Sequence, residues 1–252
     1  MRVQKIGFIG LGAMGDGMTR NLLKAGYDVR GYDINPDATA RLASAGGQTA
    51  SSAAEAAADA DMLIVCVFSA DEAQTALFGD DGAVSTLGAG ATVIMSTTMA
   101  PEDARAMAER LAESDHLFID APVTGGKAGA DAGTLTVIAS GPEAAMAAAD
   151  GPLKAMGDRI NYIGAQAGAG SSVKMINQLL VGVHVVAAAE AIALATRAGV
   201  DPNVVYDVIT HGQGNSLMFQ SRVKAMMAGD YETRGALEIF PKDLGIVMDA
   251  GR

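Results

Sequence analysis

Three glycines, Gly10, Gly12 and Gly15, stand between an apolar run, Lys5 to Ile9, and a stretch of helical composition that reaches Ala25. A strand that turns straight into a helix at this spacing opens a βα unit whose next strand returns parallel to the first. The first glycine permits the tight turn, the second a close approach of pyrophosphate, and the third the packing of helix on strand. Backbone N–H groups and the positive end of the helix dipole would face that anion, so no basic side chain is needed. Gly10, Leu11, Gly12, Ala13, Met14 and Gly15 are therefore candidate dinucleotide ligands.

Asp33 follows Gly15 by eighteen residues, at the end of a second strand, Asp28 to Tyr32. A carboxylate there can accept hydrogen bonds from the adenosine ribose hydroxyls and repels a 2'-phosphate, which favours NAD over NADP. Ile34 offers no positive charge, and Arg41, on the next helix, is expected to be a solvated surface residue.

The same alternation continues downstream. Met62 to Val67, Thr92 to Met95 and Leu117 to Asp120 read as further strands, with Thr134 to Ala139 and Ile160 to Ile163 extending the sheet. Helices are expected between them, one opened by the Ser52/Glu55 capping box and another by Pro101 with Glu102 and Asp103. The predicted fold class is α/β, an N-terminal Rossmann domain with a doubly wound parallel sheet. After Gly164 the pattern becomes helical, at Ser171 to Ala198, Asn203 to Thr210, Ser216 to Ala228 and again from Lys242. The boundary is placed there: residues 1–164 form a dinucleotide-binding domain and residues 165–252 an all-α second domain.

Acidic residues outnumber basic ones 29 to 18 with no cluster of Lys and Arg, so nucleic acid is not an expected partner. The apolar stretch Val181 to Ala195 is interrupted by His184 and Glu190 and reads as too short and too polar to span a bilayer; no secretory signal is recognised. No membrane association and a cytoplasmic location are expected. Cys66, the single cysteine, lies in an apolar run and is expected to be a buried strand residue. His116, His184 and His211 make no metal-ligand spacing, and no metal site is predicted.

Two segments could carry chemistry. In Asp120-Ala-Pro-Val-Thr-Gly-Gly-Lys127, the turn Thr124, Gly125, Gly126 can aim successive N–H groups at a substrate carboxylate; an ordinary glycine-rich loop is the alternative, and Lys127 reads as solvated. Lys174, one of seven lysines, sits one turn into an apolar helix with Asn177 and Gln178 on the same face. Partial burial beside a cationic nicotinamide would favour its neutral amine, able to take a proton from a substrate hydroxyl that Asn177 or Gln178 orients. A lysine that snorkels to water is the alternative.

Together with the N-terminal glycines and the Asp120 segment, Gly168-Ala-Gly-Ser-Ser-Val-Lys174-Met-Ile-Asn177-Gln178 resembles the β-hydroxyacid dehydrogenase family, in the family's order and over essentially the whole chain. The resemblance implies a Rossmann domain, a helical substrate domain and a catalytic lysine at Lys174. It places Thr98, in Ser96-Thr97-Thr98-Met-Ala-Pro101, beside the nicotinamide, and Lys242 where a lysine closes over cofactor and substrate. Phe68 and Ser69 fall on the loop that covers the adenosine side. The implied activity is NAD-dependent oxidation of a small hydroxy-carboxylic acid.

Leu179 to Glu190, Thr210-His211-Gly-Gln-Gly-Asn215-Ser216 and Gly229-Asp230-Tyr231 resemble most the L-threonate dehydrogenase branch, which implies L-threonate or a related four-carbon sugar acid. Asn177 departs from that branch, which tends to carry histidine there. The alternative substrates are 3-hydroxyisobutyrate and tartronate semialdehyde; a reading of another class is a non-catalytic NAD-binding sensor or scaffold. His211 and Asn215 are candidates for contact with distal hydroxyls or, equally, a helix-ending loop. The family continues past Lys242, so the second domain reads as C-terminally shortened, and its apolar helix implies a homo-oligomer.

Overall fold

The computed structural model describes residues 4–230 and 238–252; Tyr231, named above, lies outside the described residues. Two compact units are present, Met1–Met175 and Ile176–Arg252.

Among the described residues the first unit is built on nine strands: β1 (Lys5–Ile9), β2 (Asp28–Tyr32), β3 (Gln48–Thr49), β4 (Met62–Val65), β5 (Thr92–Met95), β6 (Leu117–Asp120), β7 (Val123–Thr124), β8 (Leu135–Ser140) and β9 (Gly157–Gly164). Between them run α1 (Ala13–Lys24), α2 (Pro36–Ser44), α3 (Ala53–Ala57), α4 (Ala70–Phe78), α5 (Pro101–Ala112), α6 (Gly126–Ala132) and α7 (Glu143–Met156). The sheet order is β3-β2-β1-β4-β5-β6-β8-β7, with β9 also on β8. Pairing is parallel from β3 through β6, then β8 runs antiparallel to β6 and β7 and parallel to β9. The expected parallel sheet is thus the N-terminal part of a mixed one. The two-residue strands β3 and β7 escaped the sequence reading because they are too short to show a period.

Strands of such a sheet are covered on both faces, which accounts for continuous apolar runs such as Met62–Val65, buried throughout. One core joins the sheet to Met18 and Leu22 of α1, Leu42 of α2 and Leu153 of α7. The other joins it to Ala56 of α3, Leu77 of α4 and Leu111 of α5. Each fully buried aliphatic side chain contributes about 1.5–3 kcal/mol. Cys66 falls just past β4 and is only half-buried as a residue, which corrects its assignment to the strand interior.

The carboxyl ends of the parallel strands form one row: Tyr32 pairs with Ile9, Ile9 with Val65, Val65 with Met95, and Met95 with Asp120. Sequential connections leave β1 in opposite directions, to β2 on one side and β4 on the other, the switch in strand order beside which sheets of this kind bind their ligands.

The long helix α8 (Ala169–Arg197) starts in the first unit and continues into the second, followed by α9 (Pro202–Thr210), α10 (Leu217–Ala228) and α11 (Ile239–Ala250). A small core of Ala188, Phe219 and Val223 holds α8 and α10, with Tyr206 of α9 stacked on Phe219. At 29 residues, with an 18-residue stretch of mean hydropathy 2.0, α8 is long and apolar enough to cross a bilayer. This is a matter of length and composition only: the helix is longer than the stretch Val181 to Ala195 read from the sequence. Ile176, Leu180, Val183 and Leu194 along it are all at least half exposed.

Candidate active site

The glycine turn leaves β1 at Gly10, whose φ of +93° a side chain would resist. A Cβ at Gly15 would collide with the Gly10 carbonyl oxygen, whereas a Cβ at Gly12 would meet open space. Helix α1 has no side-chain cap, and its first intrahelical bond runs from Asp16 N–H to the Gly12 carbonyl. The donors of Ala13, Met14 and Gly15 thus lack intrahelical partners and face the space above the strand ends, a cradle that suits a pyrophosphate. By contrast α2, α3 and α4 are capped by Asn35, Ser52 and Ser69.

Asp33 Oδ2 accepts the Leu11 N–H at 2.6 Å, and Oδ1 accepts the Asn35 N–H at 2.8 Å. Each oxygen retains a lone pair for a ribose hydroxyl. Ile34 is exposed. Arg41 is not simply solvated: Nη2 donates to the Leu11 carbonyl at 3.4 Å, and Nε lies 3.6 Å from Asp16 Oδ1. The helix turns it back onto the glycine turn, where Asp16 offsets its charge.

The next two strand ends carry Phe68, Ser69 and Thr98. Ser69 caps α4 by accepting the Glu72 N–H at 3.2 Å, and Glu72 returns to accept the Phe68 N–H at 3.0 Å, a capping box that fixes the loop. The Ser69 hydroxyl is therefore engaged in capping, and Phe68 exposes part of its ring. Thr98 is half-buried directly after two buried polar residues, Ser96 and Thr97. Thr97 Oγ1 accepts the Val67 N–H at 3.0 Å, tying the β4 loop to the end of β5. The Ser96 hydroxyl is buried with no hydrogen-bond partner among the described residues.

Past Asp120, Thr124 pairs with Thr136 and is followed by Gly125 (φ +128°) and Gly126 (φ +62°), conformations that favour glycine. Helix α6 begins there without a side-chain cap. It packs tightly on α1, where Asn21 Nδ2 donates to the Ala130 carbonyl at 2.7 Å and a Cβ at Gly17 would strike the same carbonyl. Lys127 is half exposed and paired with Asp131.

Lys174 on α8 is only 6% exposed. The start of its helix is held by Asp120, whose Oδ2 accepts the N–H groups of Gly168 (3.0 Å) and Ser171 (2.8 Å) and whose Oδ1 accepts the Ser171 hydroxyl (2.7 Å). Burial raises the Asp120 carboxyl above its ordinary range, opposed by these bonds and one from Ser140.

Within the second unit, Asn177 Nδ2 donates to Gln178 Oε1 at 3.0 Å, and Gln178 Nε2 donates to Asp243 Oδ2. Lys242 Nζ lies 2.8 Å from Asp243 Oδ1, an ion pair outside hydrogen-bond geometry. His211 is exposed with Nδ1 on the Asp207 carbonyl, and Asn215 donates to the Thr210 carbonyl, so both serve the C-terminal end of α9.

The first family that matches, over residues 5–164, is described as the NAD-binding domain of 6-phosphogluconate dehydrogenase. The second, over residues 168–252, is described as NAD-binding of NADP-dependent 3-hydroxyisobutyrate dehydrogenase. The L-threonate dehydrogenase of Cupriavidus necator is 47% identical over 249 residues, 99% of this chain and 84% of the relative. The chain belongs to the β-hydroxyacid dehydrogenase family. The L-threonate dehydrogenase of Escherichia coli K12 is 43% identical over 98% of this chain and 82% of its own length. A crystal structure of a Salmonella typhimurium protein described as 3-hydroxyisobutyrate dehydrogenase superposes with a TM-score of 0.92 at 43% identity, covering 98% of this chain and 87% of that one.

This β-hydroxyacid dehydrogenase is therefore an NAD(P)-dependent hydroxy acid oxidoreductase, with NAD-binding family models matched over both parts of the chain. Sequence reasoning passed over Thr97, Ser140 and Ser171 in the first unit and Asp243 in the second, whose side chains hold or pair with candidate residues or the segments that carry them. A signal existed for two of them, since Thr97 ends an apolar strand run and Asp243 opens the apolar Leu244-Gly-Ile-Val. Nothing local announced Ser140 or Ser171, whose partners are remote in sequence.

Proposed function

We propose that this β-hydroxyacid dehydrogenase oxidises L-threonate or a closely related four-carbon sugar acid with NAD, with Lys174 as the proton-transfer residue. The observation that carries the assignment of Lys174 is its burial one turn after the α8 start that Asp120 holds. A buried amine takes its proton from a group brought to it rather than from bulk water. Thr124, Gly125 and Gly126, with their left-handed glycines, offer N–H groups to the substrate carboxylate.

Bound NAD supplies the acceptor for the hydride that leaves the carbinol carbon. The chain contributes the remainder: the turn Gly10 to Gly15 binds the pyrophosphate, Asp33 holds the adenosine ribose, Phe68 and Ser69 border the adenosine and Thr98 the nicotinamide. As hydride departs, Lys174 accepts the hydroxyl proton, so the alcohol becomes a carbonyl without accumulating charge. Asn177 and Gln178 orient the hydroxyl, and Lys242 closes over cofactor and substrate. The ion pair of Lys242 with Asp243, itself bonded to Gln178, supports treating these residues as one group.

L-threonate is favoured by the L-threonate dehydrogenases to which the chain is similar. The Salmonella protein's description makes 3-hydroxyisobutyrate the second reading. NADH formation at 340 nm from L-threonate, D-threonate, 3-hydroxyisobutyrate and glycerate separates them. A preference of at least about tenfold in kcat/KM for L-threonate is expected; the same preference for 3-hydroxyisobutyrate would overturn the substrate assignment. The exposed apolar side of α8 supports a homo-oligomer, and we place the enzyme in the cytoplasm with residues 165–252 as its helical domain.

A further inference from the structure

The start of α8 is secured in an unusual way. A helix leaves its first donors without intrahelical partners, and a side chain next to them in sequence commonly caps them. Here the first intrahelical bond is from Ser172 N–H to the Gly168 carbonyl, and three of the four preceding donors turn to residues far back in the chain. Gly168 and Ser171 donate to Asp120 Oδ2, and Gly170 donates to Ser140 Oγ at 3.0 Å. Ala169 alone bonds locally, to the Gln166 carbonyl at 3.4 Å.

The two remote partners are neighbours at adjoining strand ends. Asp120 closes β6 and Ser140 closes β8; they are paired in register, and the Ser140 hydroxyl lies 3.4 Å from Asp120 Oδ2. Both residues are fully buried. The clasp leaves no room for side chains, since a Cβ at Gly170 would strike the Ile138 and Asp120 carbonyl oxygens. Lys174 lies four residues after Gly170 and three after Ser171, directly above the two clasped residues on the same helical face. Asp120 is also only four residues before Thr124, so one carboxylate joins the strand that feeds the carboxylate-binding turn to the helix that carries the lysine.

We propose that Asp120 is a positioning residue for the reaction, its carboxylate and the Ser140 hydroxyl fixing the axial position of α8 and thereby the placement of the Lys174 amine relative to the Thr124–Gly126 turn. The proposal rests on the assignment of Lys174 as the proton-transfer residue. Asp120 touches neither substrate nor cofactor in this account. It acts through the helix, and a displacement of about an ångström at the amine is enough to lower turnover about a hundredfold.

The test is a double-mutant cycle on the full chain with Asp120→Asn, Lys174→Ala and both together, with NAD affinity measured by fluorescence titration. The amide keeps an oxygen for the two backbone donors and loses the charge, so the fold is retained while the grip weakens. Asp120→Asn alone is expected to lower kcat about 10- to 100-fold with the NAD dissociation constant changed less than about twofold. In the Lys174→Ala background the same change should lower residual turnover by less than about threefold, because its target is gone. An equal loss in both backgrounds would show a purely structural role, and unchanged kcat in Asp120→Asn would show no role; either overturns the proposal. Should Asp120→Asn fail to fold, Ser171→Ala, which removes one bond to Oδ1, takes its place with a severalfold loss expected and the same cycle applied. Undiminished turnover in Lys174→Ala alone would instead sink the lysine assignment, an outcome read before the cycle is closed.

Discussion

Asp33 at the end of β2 and Leu11 in the glycine turn after β1 are joined by a hydrogen bond of 2.6 Å from the Leu11 N–H to the carboxylate. The residue proposed to read the ribose therefore also fixes the turn proposed to receive the pyrophosphate. Hydrogen bonds to a charged acceptor are worth about 1.5–3 kcal/mol. Asp33→Ala is expected to raise the KM for NAD by about 10- to 100-fold and to narrow the preference over NADP, with a smaller effect on kcat. Initial rates with the two cofactors check this; equal KM values for NAD in variant and wild type would contradict it.

Thr97 makes a parallel prediction for the loop after β4. Its buried hydroxyl accepts the Val67 N–H, and valine keeps the shape while leaving that donor unpaired. The cost of such a donor is about 1–3 kcal/mol. Thr97→Val should lower Tm by several degrees and raise the KM for NAD while sparing kcat, because Phe68 and Ser69 lie just beyond Val67. Calorimetry with and without NAD, alongside initial rates, tests it; wild-type Tm and KM would show that the loop holds without the bond.

His116, between α5 and β6, is buried with Nδ1 lacking a hydrogen-bond partner among the described residues. Desolvation holds its pKa below the ordinary value of 6.5, opposed by nearby Asp115. Below 6.5 the unfolded chain binds a proton that the folded chain resists, so stability falls as pH drops from 6.5 through the folded pKa. His116→Phe removes this contribution. Chemical denaturation at pH 7.5 and pH 5 is expected to show a smaller loss on acidification in the variant than in the wild type; equal losses would contradict the assignment.

Much of the first unit could be read directly because parallel strands buried on both faces write themselves as apolar runs, as Thr92 to Met95 does. The glycine turn was legible for the same reason of local necessity: Gly10 needs its positive φ and Gly15 its lack of a Cβ. What escaped was set by distance. The Asp120–Ser171 bond spans 51 residues and the Gln178–Asp243 bond 65, so no window of sequence contains both partners. Arg41 is exposed, as the sequence suggests, but its bond to the Leu11 carbonyl was out of reach for a related reason, since only the fold brings α2 back over the glycine turn.

The central claim is that Lys174 transfers the proton, and turnover of Lys174→Ala with L-threonate and NAD tests it most directly, with cofactor binding measured on the same preparation. The account predicts a loss in kcat of about 100- to 10,000-fold with NAD affinity within about twofold of wild type. Turnover within about threefold of wild type would contradict it.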